Sequence, residues 1–200
     1  MHVNGRRRGA ILAAVMGVSL VAAGLFAPPD ALAAGQATTQ IKVSAQILGS
    51  CKISATPINF GVYDPSSSVA VNANGTVTTT CGTTTTITGV SADPGQFPYS
   101  AAPVAAQFAT QPTSTGGTAV TRGMSDGTAY LLYDLFTDPD YTTIWNTTNT
   151  ELAGVVTQST VPITFTVYGQ IPGNEKADLA SGKSFTNGNY NDTVTVTVTW

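Results

Sequence analysis

Few residues in this chain have types that could do covalent or metal chemistry. Only 10% are charged, and the single histidine is His2. Gly123-Met124-Ser125-Asp126-Gly127 fits G-x-S-x-G, the nucleophile elbow of α/β hydrolases. That motif needs a strand-to-helix turn and a histidine base. With no histidine beyond position 2, the stretch reads as a turn. Asp138 and Asp140 could serve as a carboxylate pair in glycoside hydrolysis or hold Ca²⁺, yet Asp138-Pro139-Asp140 is more simply a turn between strands. Cys51 and Cys81 are too few soft ligands for a zinc site without histidine. Net charge −3 and pI 4.8 argue against a phosphate-binding patch and thus against nucleic acid. Tyr130, Tyr133, Tyr141, Trp145 and Tyr168 raise a monomeric carbohydrate-binding module, although aromatics in strand-like segments more often fill a core. No catalytic residue, metal or cofactor is expected, so the chain does not read as an enzyme.

The first 33 residues read as an export signal. Arg6-Arg7-Arg8 precede an uncharged apolar run from Ala10 to Phe26, Pro28-Pro29 break it, and Ala31-Leu32-Ala33 offers a cleavage site. No later stretch is apolar for long enough to span a bilayer. Beyond residue 33 the chain carries five basic and ten acidic residues. In an exported chain, an even pair of cysteines is expected to join, Cys51 to Cys81. Closing that loop is worth about 3.7 kcal/mol in the chain-entropy estimate.

The elements that must position anything are strands. Threonine makes up about a fifth of the exported part and alternates with valine. From Thr193 to Trp200, period two puts Val194, Val196, Val198 and Trp200 on one face and threonines on the other. Gly75 to Cys81, Ala129 to Thr137, Thr142 to Trp145 and Ile163 to Tyr168 are further strand candidates. Asp64-Pro65, Asn74-Gly75, Asp138-Pro139, Ile171-Pro172-Gly173 and Asn187-Gly188 are the turn signals between them. Residues 93–121, rich in proline, alanine and glutamine, read as a long exposed loop. The expected fold is an all-β sandwich or barrel.

Residues 37–48 alternate as well, with Ile41, Val43, Ala45 and Ile47 on one face and Gln40, Lys42, Ser44 and Gln46 on the other. Such a segment suits an ordinary first strand. It equally suits an arm that completes a neighbour's sheet, with alternate side chains filling pockets.

Cys51-Lys52-Ile53-Ser54-Ala55-Thr56-Pro57-Ile58-Asn59-Phe60-Gly61-Val62-Tyr63-Asp64-Pro65 resembles the opening of the spore coat protein U family, which includes subunits of archaic, Csu-type chaperone–usher pili. The resemblance continues through Asn72–Val77 to Cys81, Leu131–Asp138, Thr142–Trp145, Thr166–Pro172 and Tyr190–Asp192 with the closing Thr-Val repeat. Asn146 and Gln170 depart from the usual glycine and arginine of that pattern.

The resemblance implies an immunoglobulin-like β-sandwich lacking its final strand, completed by a donor strand from a neighbouring subunit. Residues 1–33 would be the cleaved signal, 34–50 the donor strand and 51–200 the pilin domain. Ile41, Val43, Ala45 and Ile47 would insert into a neighbour. Val194, Val196, Val198 and Trp200 would form the acceptor groove and the chaperone contact. The implied partners are copies of itself or other pilus subunits, a periplasmic chaperone and an outer-membrane usher. The implied setting is a cell-surface fimbria for adhesion and biofilm formation. A spore- or cell-coat component built by the same exchange is the structural alternative.

Overall fold

The computed structural model describes residues 39–200, so the signal reading over 1–33 lies outside the described residues. The chain divides into two units, Met1–Ala45 and Gln46–Trp200. In the first, residues 39–45 are exposed and carry no regular secondary structure. Of the two readings of residues 37–48, the ordinary first strand is not formed by the described part, 39–48. Alternation alone does not make a strand, because a strand needs an edge to pair with.

The second unit is almost entirely β. Strands β1 (Cys51–Ala55), β2 (Val71–Cys81), β4 (Phe97–Pro98), β5 (Arg122–Ser125), β6 (Tyr130–Phe136) and β7 (Ile163–Ile171) form a six-stranded sheet in the order β1-β2-β7-β6-β5-β4. Every neighbouring pair in it is antiparallel. β3 (Gly89–Ala92) and β8 (Val196–Thr199) form a separate antiparallel pair. Helix is limited to one turn, α1 (Ala102–Ala105), and a 3-10 turn at Glu175–Asp178. The all-β expectation holds, and the two packed sheets are consistent with an immunoglobulin-like sandwich.

Alternation explains β2 directly. Val77, Thr79 and Cys81 are buried, while the residues between them are partly exposed. On that outer face the Thr78 and Thr164 hydroxyls meet at 2.8 Å across the β2–β7 pair, the cross-strand contact that β-branched polar residues favour. Between the sheets, Val77, Val90, Leu131, Tyr133, Leu135, Trp145, Val167 and Ile171 pack as one buried cluster. The Trp145 indole N–H donates to the Val90 carbonyl at 2.8 Å, tying β3 to the core.

Three expectations need correction. Residues 93–121 are not a free loop: they contain β4 and α1, and Val104, Phe108 and Val120 pack with Leu132 in a second buried cluster. This segment covers the outer face of β6, which is why that strand is buried at six consecutive positions. Pro103, just inside α1, fits because a first-turn residue needs no N–H partner. Thr142–Trp145 is not a strand. It returns to β6 through an Ile144–Phe136 bridge and the Trp145 N–H to the Leu135 carbonyl. The final strand is ordered as β only from Val196, because the chain there changes sheets. Asn191 bridges Ser125 of β5, whereas Val196 onward pairs with β3.

A polar girdle fastens this crossing. Arg122 and Asp134, at 1% and 0% exposure, form a buried ion pair. The same guanidinium donates to the carbonyls of Asp93 and Trp145, and the other Asp134 oxygen accepts the Thr121 N–H and O–H. With its donors and acceptors met, the pair avoids the penalty of an orphaned buried charge.

Candidate functional site: a groove open to the core

Along one side the sandwich is not closed. A groove of about 1090 Å³ reaches the core, floored by Val77, Leu131, Tyr133, Leu135, Trp145 and Val167. Its two walls are chain segments rather than a closing strand.

The first wall is Ala55–Tyr63. β1 ends where the Thr56 N–H meets the Thr76 carbonyl at 2.9 Å, and Pro57 follows without an N–H to give. Ile58 and Phe60 then turn inward over two glycines. A Cβ on Gly75 would stand 2.7 Å from Ile58 Cγ1, and one on Gly169 would stand 2.9 Å from Phe60 Cζ. Gly75 pairs with Val167, two residues before Gly169, so both glycines lie on the same face of the sheet. They form a shallow dish that only side-chain-free positions permit. Phe60 meets the Tyr133 ring edge-on at 5.9 Å, and the Tyr63 hydroxyl donates to the Pro172 carbonyl at 2.8 Å. Burial, reinforced by the nearby Glu175 carboxyl, pushes the Tyr63 phenol far up from its ordinary value.

The second wall is Tyr190–Val196. Two carboxylates hold it. Asp192 accepts the Tyr133 hydroxyl at 2.6 Å and the Gln96 N–H at 2.8 Å, and Asp93 accepts the Thr195 N–H at 2.9 Å. Burial and the Asp192 charge push the Tyr133 phenol far up, so it remains a hydrogen-bond donor here. Asp93 is held below the usual carboxylate range: partial burial opposes this, and its hydrogen bonds from Thr195 and Gly95 prevail with help from Arg122.

Among the described residues, β1 is paired on one side, with β2, and β8 on one side, with β3. Unpaired backbone edges beside an apolar floor are the features that invite another strand.

Val194 and Val196 line this groove, and Val198 packs at the margin of the same core. Trp200 is outside the lining, 50% exposed. Ile41, Val43 and Ile47 are 85%, 90% and 82% exposed, and Ala45 is exposed too. Cys51 and Cys81 are disulfide-bonded and directly paired, fastening β1 to the end of β2.

Sequence reasoning missed Ile58, Phe60 and Tyr63, although Ile58-Asn59-Phe60 carries a short alternation after Pro57. It also missed Asp93 and Asp192, whose roles depend on contacts distant in sequence.

The other candidates serve as turns. Ser125 ends β5, its hydroxyl donating to the Ala129 carbonyl at 2.9 Å in the β5–β6 hairpin. The Asp138 carboxylate accepts from the backbone of Asp140, Thr142 and Thr143. Trp145 and Tyr133 are 1% and 5% exposed, so neither offers a face for stacking.

Residues 37–197 match the Spore Coat Protein U domain family. The chain belongs to that family. Among curated relatives it is 32% identical over 199 residues to Protein U of Myxococcus xanthus, a match covering 96% of this chain and 97% of that one. Among solved structures it is similar to the CsuC–CsuE chaperone–tip adhesion subunit pre-assembly complex from archaic chaperone-usher Csu pili of Acinetobacter baumannii. There the identity is 21%, the TM-score 0.46, and the match covers 77% of this chain but only 40% of that one. The spore coat protein U match begins within the alternating segment and ends inside β8, so it takes in both walls of the groove.

Proposed function

We propose that this chain is a structural subunit of a cell-surface fibre, and that its groove receives the alternating segment of a second subunit. The observation that carries the reading is the groove itself: an apolar floor between two wall segments, Ala55–Tyr63 and Tyr190–Val196, that no strand closes among the described residues. The family membership and the pilus-like order of motifs support it. In this scheme Ile41, Val43, Ala45 and Ile47 enter the neighbour's groove beside Val194 and Val196. Burying each large aliphatic side chain contributes roughly 1.5–3 kcal/mol, and backbone hydrogen bonds to both edges add direction. A periplasmic chaperone would cover the groove before assembly, with Trp200 near its grip, and an outer-membrane usher would receive the complex. Adhesion and biofilm formation would follow from the fibre. The family's description favours one second reading, a coat component assembled by the same exchange.

The test is a labelled peptide of residues 39–48 added to the purified chain. The expected result is saturable binding at one site per chain with a raised melting temperature, since a ligand that binds only the folded form stabilises it. The Val43→Asp peptide should do neither, because an unpaired charge in an apolar slot costs several kcal/mol. Equal binding of both peptides, or of neither, contradicts the reading.

A further inference from the structure

One turn signal, Asn187-Gly188, has chemistry that fibre assembly does not use. Both residues are exposed, at a bend at the polar end of the groove. Among the described residues, neither the Asn187 side chain nor the Gly188 N–H has a hydrogen-bond partner. Glycine puts no Cβ in the way of its own nitrogen; Gly188 packs beside Asp126, where a Cβ would stand 2.8 Å from Oδ2, and its N–H still donates to nothing.

Among the described residues, two comparable pairs are locked. Asn74-Gly75 lies within β2, where Gly75 is buried, paired with Val167 and pressed against Ile58. Asp126-Gly127 has its carboxylate occupied by the N–H groups of Thr128 and Ala129 and by the Thr186 hydroxyl. Its glycine N–H donates to Ser125 Oγ at 3.0 Å.

We infer that Asn187 is a site of spontaneous deamidation, and that the fold directs this modification to the mouth of the groove. The Gly188 backbone nitrogen attacks Asn187 Cγ, forming a new N–C bond. The Cγ–Nδ2 bond breaks, and ammonia leaves with the proton from the Gly188 nitrogen. Water then adds to either carbonyl of the resulting succinimide and opens it to aspartate or isoaspartate. One amide and one water become one carboxylic acid and one ammonia, with no oxidation or reduction. The product puts a new negative charge on the groove end that already carries Asp192. The isoaspartate form also adds one backbone carbon to the bend that leads into the second wall.

The experiment is peptide mapping by mass spectrometry of the purified full chain held in mildly alkaline buffer, folded and in denaturant. In the folded chain Asn187 should convert at least about tenfold faster than Asn74, whose strand must open before attack. In denaturant the two sites should converge. Asn187→Gln, at an exposed position, should fold normally and lose the modified peptide. Conversion at Asn187 no faster than at Asn74 in the folded chain, or no conversion at all, overturns the inference.

Discussion

Arg122 and Asp134, at 1% and 0% exposure, form a buried ion pair that also holds the Asp93 and Trp145 carbonyls and the Thr121 N–H and O–H. Asp134 lies within Leu131-Leu132-Tyr133-Asp134-Leu135-Phe136, and nothing local names its partner. Arg122 lies in a stretch read as the edge of a loop. Truncating one side leaves the other charge buried and unpaired, so Asp134→Ala should cost roughly 3–5 kcal/mol, read from the denaturant midpoint. Glu175 is a different case. It is fully buried, with one oxygen receiving the Leu132 N–H at 3.3 Å and the other without a partner. Burial raises its pKa well above the ordinary value. Above the ordinary glutamate range, then, the unfolded chain ionises while the folded chain keeps its proton. Stability at this site is full below that range and declines as pH rises toward the folded pKa. Glu175→Gln should remove the decline, so the melting-temperature difference between variant and parent should widen from acid to neutral pH. A constant difference would mean that Glu175 is not held neutral.

At the scale of elements, the strands legible in the sequence were those with one dry face. β2 and β7 alternate because one side packs inward, and their Thr-Val pattern announced them. β6 was legible by composition, but burial on both faces erased its alternation. The covering segment, residues 93–121, was illegible because its apolar anchors are too few to set a period: Val104 and Phe108 stand one turn apart, and Val120 lies well beyond them. The groove walls were partly legible. Alternation put Val194 and Val196 on one face, and only the family resemblance implied that this face borders a groove, whereas the Ile58–Phe60 side depends on Gly75 and Gly169, whose role is the absence of a side chain. Gly169→Val should push Phe60 and Ile58 off the sheet and loosen the first wall. Faster hydrogen exchange across residues 56–63, with β6 unchanged, would register it. Unchanged exchange there would show that the dish tolerates a side chain.

At the scale of the whole molecule, the Cys51–Cys81 bond fastens one end of β1 to the end of β2, and the open groove begins at the other end of β1, at Ala55. Replacing both cysteines with serine should lower stability by about 3.7 kcal/mol in the chain-entropy estimate, seen as a shifted denaturation midpoint without loss of strand content. The proposed exchange makes a sharper demand, on faces. Ile41→Asp and Val43→Asp should stop polymer growth through the donating end while the subunit still folds, and Lys42→Asp, on the opposite face, should be nearly silent. Polymer length by electron microscopy distinguishes them, and indifference to all three would remove the exchanged segment from the account.

The most direct measurement is contact between copies. Photo-leucine in place of Val43, incorporated into isotope-labelled chain and mixed with unlabelled chain before assembly, reports where that side chain rests after illumination. The account predicts adducts between labelled and unlabelled chains, on groove residues such as Val77, Tyr133, Val194 or Val196. Adducts confined within single chains, or falling on surfaces outside the groove, would contradict it.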